Sequence, residues 1–226
     1  MLRKVSFIKR HPDISADEFL QRWSASVARS ASRDGYTYIR NEVLPAIDGF
    51  IPDPVWDGIV QVDLVDGLKR EGSYLTSVTD DGIEDDFIDR GQIVQFIAAA
   101  QPILEGPERG IKILSLPRRR AGLSPREFNQ HYEFIHGELV KVNASFASRA
   151  NRYVQHHVLS ETAKVTGGFK AYDGISEFWF DDIACARKAW TDPLYLAELR
   201  GDEKRFVNHP PSDRVLVRPV LVTPTG

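Results

Sequence analysis

Six histidines are spread over 226 residues, and three of them fall where an imidazole could do chemistry. His136 continues the series Phe128, Tyr132, His136, Leu139, which is one face of a helix. An imidazole on an apolar face costs free energy unless its nitrogens find partners. It is also the usual general acid or base near neutral pH. His156 and His157 are neighbours in a strand-like run, so alternation sends them to opposite faces. His157 shares the more polar face with Tyr153 and Gln155, and is the expected partner of His136 in a proton shift. His156 shares the other face with Val154 and Val158. Glu177 interrupts an apolar run beside Ile175 and Trp179; a carboxylate there is either ion-paired or has a task. Tyr132, Tyr153, Trp179 and Phe206 supply an aromatic-rich surface of the kind that holds a flat organic ligand. The structural alternatives stay open: a satisfied buried histidine, a strand-end histidine pair, an ion pair at Glu177, aromatics that are only core.

The elements that must position these residues occur twice. Residues 4–23 and 112–132 align from Ser15 and Ser124 onward as S-x-x-E-F, each followed by an aromatic, Trp23 or Tyr132. Residues 38–44 match 153–159, and Asp57-Gly58-Ile59 matches Asp173-Gly174-Ile175. Each copy reads strand, helix, strand, strand, helix, strand. Ser124, Pro125 and Glu127 mark one helix start as an N-cap, a first-turn proline and a capping box. Ser15 and Glu18 repeat the box. The expected strands are 5–8, 38–44, 58–64 and 93–97, then 113–116, 153–159, 174–180 and 215–222. The second helices are expected over about 73–88 and over 183–199. This βαββαβ order predicts an α+β fold, each unit an antiparallel sheet with both helices on one face. Two units pack sheet against sheet as a pseudo-dimer within one chain. The expected domains are 1–107, degenerate because Val27, Asn41 and Glu42 stand where His136, His156 and His157 stand later, and 108–226, which carries the candidate site.

Composition narrows the function. The chain is 42% hydrophobic with a net charge of -3, enough apolar residues for a core and no electrostatic case for nucleic acid or an anionic membrane. A lone Cys185 excludes an internal disulfide and any cysteine-built metal centre. There is no 18-residue apolar run, and the start MLRKVSFIKRHPD does not read as a secretory signal, so a cytoplasmic location is expected. His131 and His136 are five apart, on different faces of an α-helix, and no metal pair is expected. The basic triplet Arg118–Arg120 reads as a solvated turn, and the acidic stretch 80–89 lacks calcium-loop spacing. Phosphate-binding glycine loops and G-x-S-x-G are absent.

The second half resembles the EthD family of the dimeric α+β barrel, or ferredoxin-like, superfamily. The resemblance rests on L-S-P-R-E-F-N-Q-H-Y-E-F-I-H (123–136), R-Y-V-Q-H-H-V (152–158), D-G-I-S-E-F-W-F (173–180) and D-E-K-R-F-V (202–207). It covers 111–222 well and 3–105 in outline. It implies a histidine of function at 136, and it places Asp202 and Phe206 at a pocket mouth, against the plainer reading of a helix cap and a core aromatic. Combined with the residue reading, it implies a cofactor-free, metal-free lyase or isomerase, dehydratase- or cyclase-like, moving a proton on a small aromatic, lactone or polyketide-like compound. His136 and His157 are its expected catalytic pair; Tyr132, Tyr153, His156, Glu177, Trp179, Asp202 and Phe206 are its expected binding residues. The alternatives are a non-catalytic carrier of a small hydrophobic ligand, and a haem-associated or cofactor-free oxygenase. A further homodimer is compatible with all three.

Overall fold

Apolar residues at alternate positions build eight main strands in the computed structural model, which describes residues 1–34, 36–64, 86–208 and 214–224. They are β1 (Leu2–Arg10), β2 (Tyr38–Val43), β3 (Gly58–Leu64) and β4 (Ile88–Leu104), then β5 (Ile111–Ser115), β6 (Ala150–Val158), β7 (Gly174–Phe180) and β8 (Arg214–Val222). The helices used below are α1 (Ala16–Asp34), α2 (Pro125–His131), α3 (Gly137–Val142), α4 (Ile183–Thr191) and α5 (Leu199–Phe206). Within each half the strands run in the same order, β4-β1-β3-β2 and β8-β5-β7-β6, all antiparallel.

The halves join edge to edge. β2 pairs with β8 and β4 pairs with β6, so the eight strands close into a barrel inside one chain. This is the expected α+β pseudo-dimer, its two sheets facing each other and sealed along both seams. β4 is far longer than the expected 93–97. Its first part pairs with β1, and its last part reaches across the seam to β6.

The repeat is visible in the packing. A Cβ on Gly58 would come within 2.6 Å of the Trp23 ring, and one on Gly174 within 3.0 Å of the Tyr132 ring. In each half, a glycine on the third strand makes room for the aromatic of the first helix.

One end of the barrel interior is apolar: Phe7, Phe96, Ile59, Leu114, Ile175 and Val215 pack there with Trp56 and Tyr172. The other end is polar and buried. Lys112 Nζ donates to Gln61 Oε1 at 2.9 Å and lies 3.1 Å from Glu177 Oε2. That carboxylate also accepts from Gln61, His156 and Trp179, and Arg3 is 3.6 Å away.

Two expected helices differ. The one expected over 183–199 ends at Thr191, because Pro193 disfavours helix at Asp192. Asp192 then caps a separate turn, Pro193–Ala197, accepting from Leu194 N at 2.9 Å, before α5 begins. The helix expected over 73–88 lies mostly outside the described residues, as does much of the acidic stretch 80–89, and Ile88 itself opens β4. The basic triplet is no free turn: Arg118–Arg119 pairs as a short strand with Val207–Asn208, and Arg119 bonds Asp173. Among the described residues, no helix is long and apolar enough to cross a membrane.

Candidate active site

α2 starts as the sequence demands. Ser124 accepts from Glu127 N, Glu127 reaches back to Ser124 N, and Pro125 sits in the first turn. The helix then departs from α geometry. Residues Tyr132–His136 form a π turn, in which Gly137 N donates to Tyr132 O, five residues back. Gln155 Nε2, from β6, donates to the same carbonyl at 2.7 Å, so the sheet braces the widened turn.

That turn decides the chemistry. In an α-helix, residues five apart point in different directions; an i→i+5 turn brings them to one side. His131 and His136 therefore both reach Asp202 on α5, against the expectation from α-helical spacing. His131 Nε2 lies 2.8 Å from Asp202 Oδ1, and His136 Nδ1 lies 3.1 Å from Oδ2. Burial alone would raise the Asp202 pKa, but hydrogen bonds from the two histidines hold it below the usual value. A carboxylate only accepts, so His136 donates from Nδ1, and its Nε2 carries the lone pair when the ring is neutral. Nε2 makes no hydrogen bond among the described residues, and His136 lines a cavity of about 280 Å³. Phe206 packs on both imidazoles, at 4.5 Å and 5.3 Å between ring centres.

The cavity lies between the helices and the outer face of β5, β7 and β8. Of the expected residues, His136, Tyr132 and Phe206 line it, and Asp202 stands behind His136. Tyr132 OH is 2.6 Å from Ser176 Oγ. Tyr153 lies beneath, receiving Gln155 Nε2 at 3.0 Å and stacking on Phe178. Burial pushes the Tyr153 phenol up to about 12 and that of Tyr132 well above its ordinary value, so both stay protonated donors at neutral pH.

The other expected residues sit elsewhere. His157 shares the outer face with His136, but the Tyr132 ring packs against it, 5.2 Å between centres, and it does not line the cavity. Its Nδ1 meets Asn129 Oδ1 at 3.3 Å, and its Nε2 is buried with no partner among the described residues. Burial drives its pKa down to about 4, so it is neutral at pH 7. His156, Glu177 and Trp179 point into the barrel, where alternation puts them on the face opposite His136. They form the polar interior cluster and do not join the cavity. Burial opposes charge on Glu177, but Lys112, His156 and Arg3 keep it well below the usual carboxylate range. Burial lowers His156, which stays neutral.

Sequence reasoning missed Ser115, Ser176, Arg200, Glu203 and Arg214, all of which line the cavity. Ser176 carried a signal, a hydroxyl in an otherwise apolar run. Glu203 carried one too, in the same stretch as Asp202. Arg214 opens a strand and gave none.

Residues 120–210 match the family profile described as EthD domain. The matched span holds α2, α3, α4 and α5 and most of the cavity lining. No curated protein matches the chain in sequence. Among solved structures, an anthrone oxidase-like protein is 11% identical, with 97% of this chain and 92% of that one covered and a TM-score of 0.55. A proposed chlorite dismutase is 10% identical over 97% and 94%, also at 0.55. A heme-binding protein from Thermus thermophilus is 12% identical over 97% and 90%, at 0.50. These likenesses show the fold, an α+β barrel, formed here by the two halves of one chain.

The cavity beside His136 is small for a haem. At about 280 Å³ it falls just below the ~300–1,000 Å³ of ordinary ligand pockets, and a tetrapyrrole with its propionates is larger than most such ligands. Tyr132 and Phe206 already lie against the His136 ring. The residues present fit a compact organic ligand and do not fit a haem.

Proposed function

We propose that the EthD domain is an acid–base catalyst of the lyase or isomerase class, dehydratase- or cyclase-like, acting on a small aromatic, lactone or polyketide-like compound. The observation that carries this reading is His136, oriented through Nδ1 by Asp202 while Nε2 is left to the cavity. His136 Nε2 takes a proton from carbon next to a carbonyl, and the Asp202 carboxylate stabilises the resulting imidazolium. The pair of C–H electrons moves onto the carbonyl oxygen as an enolate. The Tyr132 and Ser176 hydroxyls, which line the same cavity, are its proposed donors. The imidazolium then returns the proton to another carbon, or to a departing hydroxyl that leaves as water. Phe178, Trp190 and Phe206 limit water around the reacting atoms. Positioned proton transfer of this kind is worth about 10²–10⁴-fold.

Residues 1–107 are proposed to close the barrel and to carry no second site. Trp23 fills the space under α1 where Tyr132 lies in the other copy, and Val27, buried, takes the place of His136.

The test is exchange of substrate C–H for deuterium in D₂O, across a panel of small lactones and aromatic 1,3-dicarbonyl compounds. Loss of about 10²–10⁴-fold in His136→Gln supports the reading. Undiminished exchange in that variant overturns it. The anthrone oxidase-like neighbour favours one second reading, in which the same carbanion is passed to dioxygen. Oxygen uptake during the assay distinguishes the two.

A further inference from the structure

We infer that the ligand of this cavity is a carboxylic acid and that Arg214 is its anchor, a specificity that rests on the site proposed above. Among the described residues, two guanidinium groups line the cavity, Arg200 and Arg214, against one carboxylate, Glu203. Arg200 is already neutralised, with Nη1 donating to Glu203 Oε2 at 2.8 Å. The other oxygen of Glu203 accepts from Tyr195 OH at 2.7 Å. Arg214 has no such partner. Among the described residues it makes no ion pair and no side-chain hydrogen bond. It lies over Trp190 at 5.2 Å and Phe50 at 5.8 Å. The described lining thus keeps one positive charge in excess, on a planar fork suited to a carboxylate.

Two buried arginines of this protein are treated differently. Arg3 meets Asp63 at 2.6 Å, and Arg40 meets Glu42 at 2.7 Å. An arginine stacked on aromatics, facing a cavity and lacking an acid, leaves that acid to be supplied by the ligand.

The strand register sets the distance. Arg214 lies directly opposite Ser115, and Ser115 directly opposite Ser176. Neighbouring strands are about 4.8 Å apart, so the Arg214 and Ser176 backbones stand about 10 Å apart along a row of cavity-lining residues. Tyr132 OH lies at the Ser176 end of that row. A carboxylate held at Arg214 leaves room for one or two fused rings before the carbonyl that is to be activated. Ser115 is the hydroxyl between.

The test is isothermal titration calorimetry at pH 7.5 with 2-naphthoate and its neutral amide, 2-naphthamide. They share ring and shape and differ in charge. Hydrogen bonds to a charged group imply that wild type prefers the acid by about 10- to 100-fold. The preference is expected to vanish in Arg214→Gln and to survive in part in Arg214→Lys. Equal binding of acid and amide by wild type, or binding of neither, overturns the inference whether or not the variants fold. So does a full preference retained by folded Arg214→Gln. No turnover is read, so the inference separates from the catalytic proposal. His136→Gln is expected to keep the acid preference even where exchange chemistry is lost. Acid preference in wild type without deuterium exchange would leave Arg214 in place and remove the catalytic role.

Discussion

Replacing Lys112 by Met tests the buried cluster that joins the two halves. The Lys112 and Glu177 side chains are 1% and 2% exposed, and their 3.1 Å contact has no access to bulk water. Methionine approximates the length of lysine, so packing is largely kept while the charge and the hydrogen bond to Gln61 are lost. Glu177 is then left with neutral donors from Gln61, His156 and Trp179, and with Arg3 at 3.6 Å as its nearest remaining cation. Breaking one partner out of a buried pair typically costs about 3–5 kcal/mol. For a chain of this size that is a fall of about 6–20 °C in Tm. The sign of the pH dependence follows from Glu177. Its folded pKa is depressed in wild type, so its contribution is present above the ordinary value of 4.5 and is lost as pH falls through the folded pKa. Without Lys112 that carboxyl protonates more readily, so the deficit of the variant is largest near neutrality and shrinks toward acid. Urea denaturation at pH 7 and pH 4.5 reads both effects. Lys112→Met with Glu177→Leu removes both charges and is expected to recover most of the loss. A single variant within 1 kcal/mol of wild type, or a double variant no better than the single, would refute the account.

Other outcomes follow from neighbouring observations. His157 has a folded pKa of about 4 against an ordinary 6.5, so the unfolded chain binds a proton there that the folded chain refuses. Stability is expected to fall by up to about 3 kcal/mol as pH drops from 6.5 to 4, and His157→Leu should flatten that limb of a Tm–pH curve. Gly174→Ala drives a methyl to within 3.0 Å of the Tyr132 ring, and a loss of about 1–3 kcal/mol is expected by denaturant titration, with weakened ligand binding. Ser124→Ala removes the cap of α2 and should cost about 1 kcal/mol, measured the same way. Asp202→Asn keeps the shape of the carboxylate but cannot balance an imidazolium; deuterium exchange is expected to fall while Tyr132 and Phe206 stay in place.

Much of the architecture could be read from the chain, because repeats, caps and alternation are local properties. The capping box at Ser124 follows from a spacing that one copy repeats from the other, whereas the packing of Trp23 on Gly58 and of Tyr132 on Gly174 shows only once the elements are placed. His136 was legible as a polar residue on an apolar stripe. Its link to His131 was not, because α-helical spacing holds only for a uniform helix and the π turn shifts the register by a residue. That turn is braced by Gln155, 23 residues along the chain, donating to Tyr132 O. Alternation correctly separated His156 from His157 but could not tell which face opens into a cavity. The inner face is filled by side chains from the other half, Gln61 and Arg3 among them, and no local pattern shows that. Arg214 escaped for the same reason. It becomes a ligand-facing charge only when β8 pairs with β5.

The two seams also fix how many sites a barrel can hold. At one of them Arg218 Nε on β8 donates to Glu42 Oε2 on β2 at 2.6 Å, joining residues 176 positions apart in the chain. A half on its own would leave its second and last strands with unpaired hydrogen-bonding edges, which is a template for another chain. Two copies of residues 108–226, expressed alone, would be expected to satisfy those edges with each other. Such a symmetric barrel would hold two His136 cavities in place of one. On the proposed reading, fusion trades the symmetry of two equal sites for a single site and frees the other half to change around Trp23 and Val27, provided its edges keep their register.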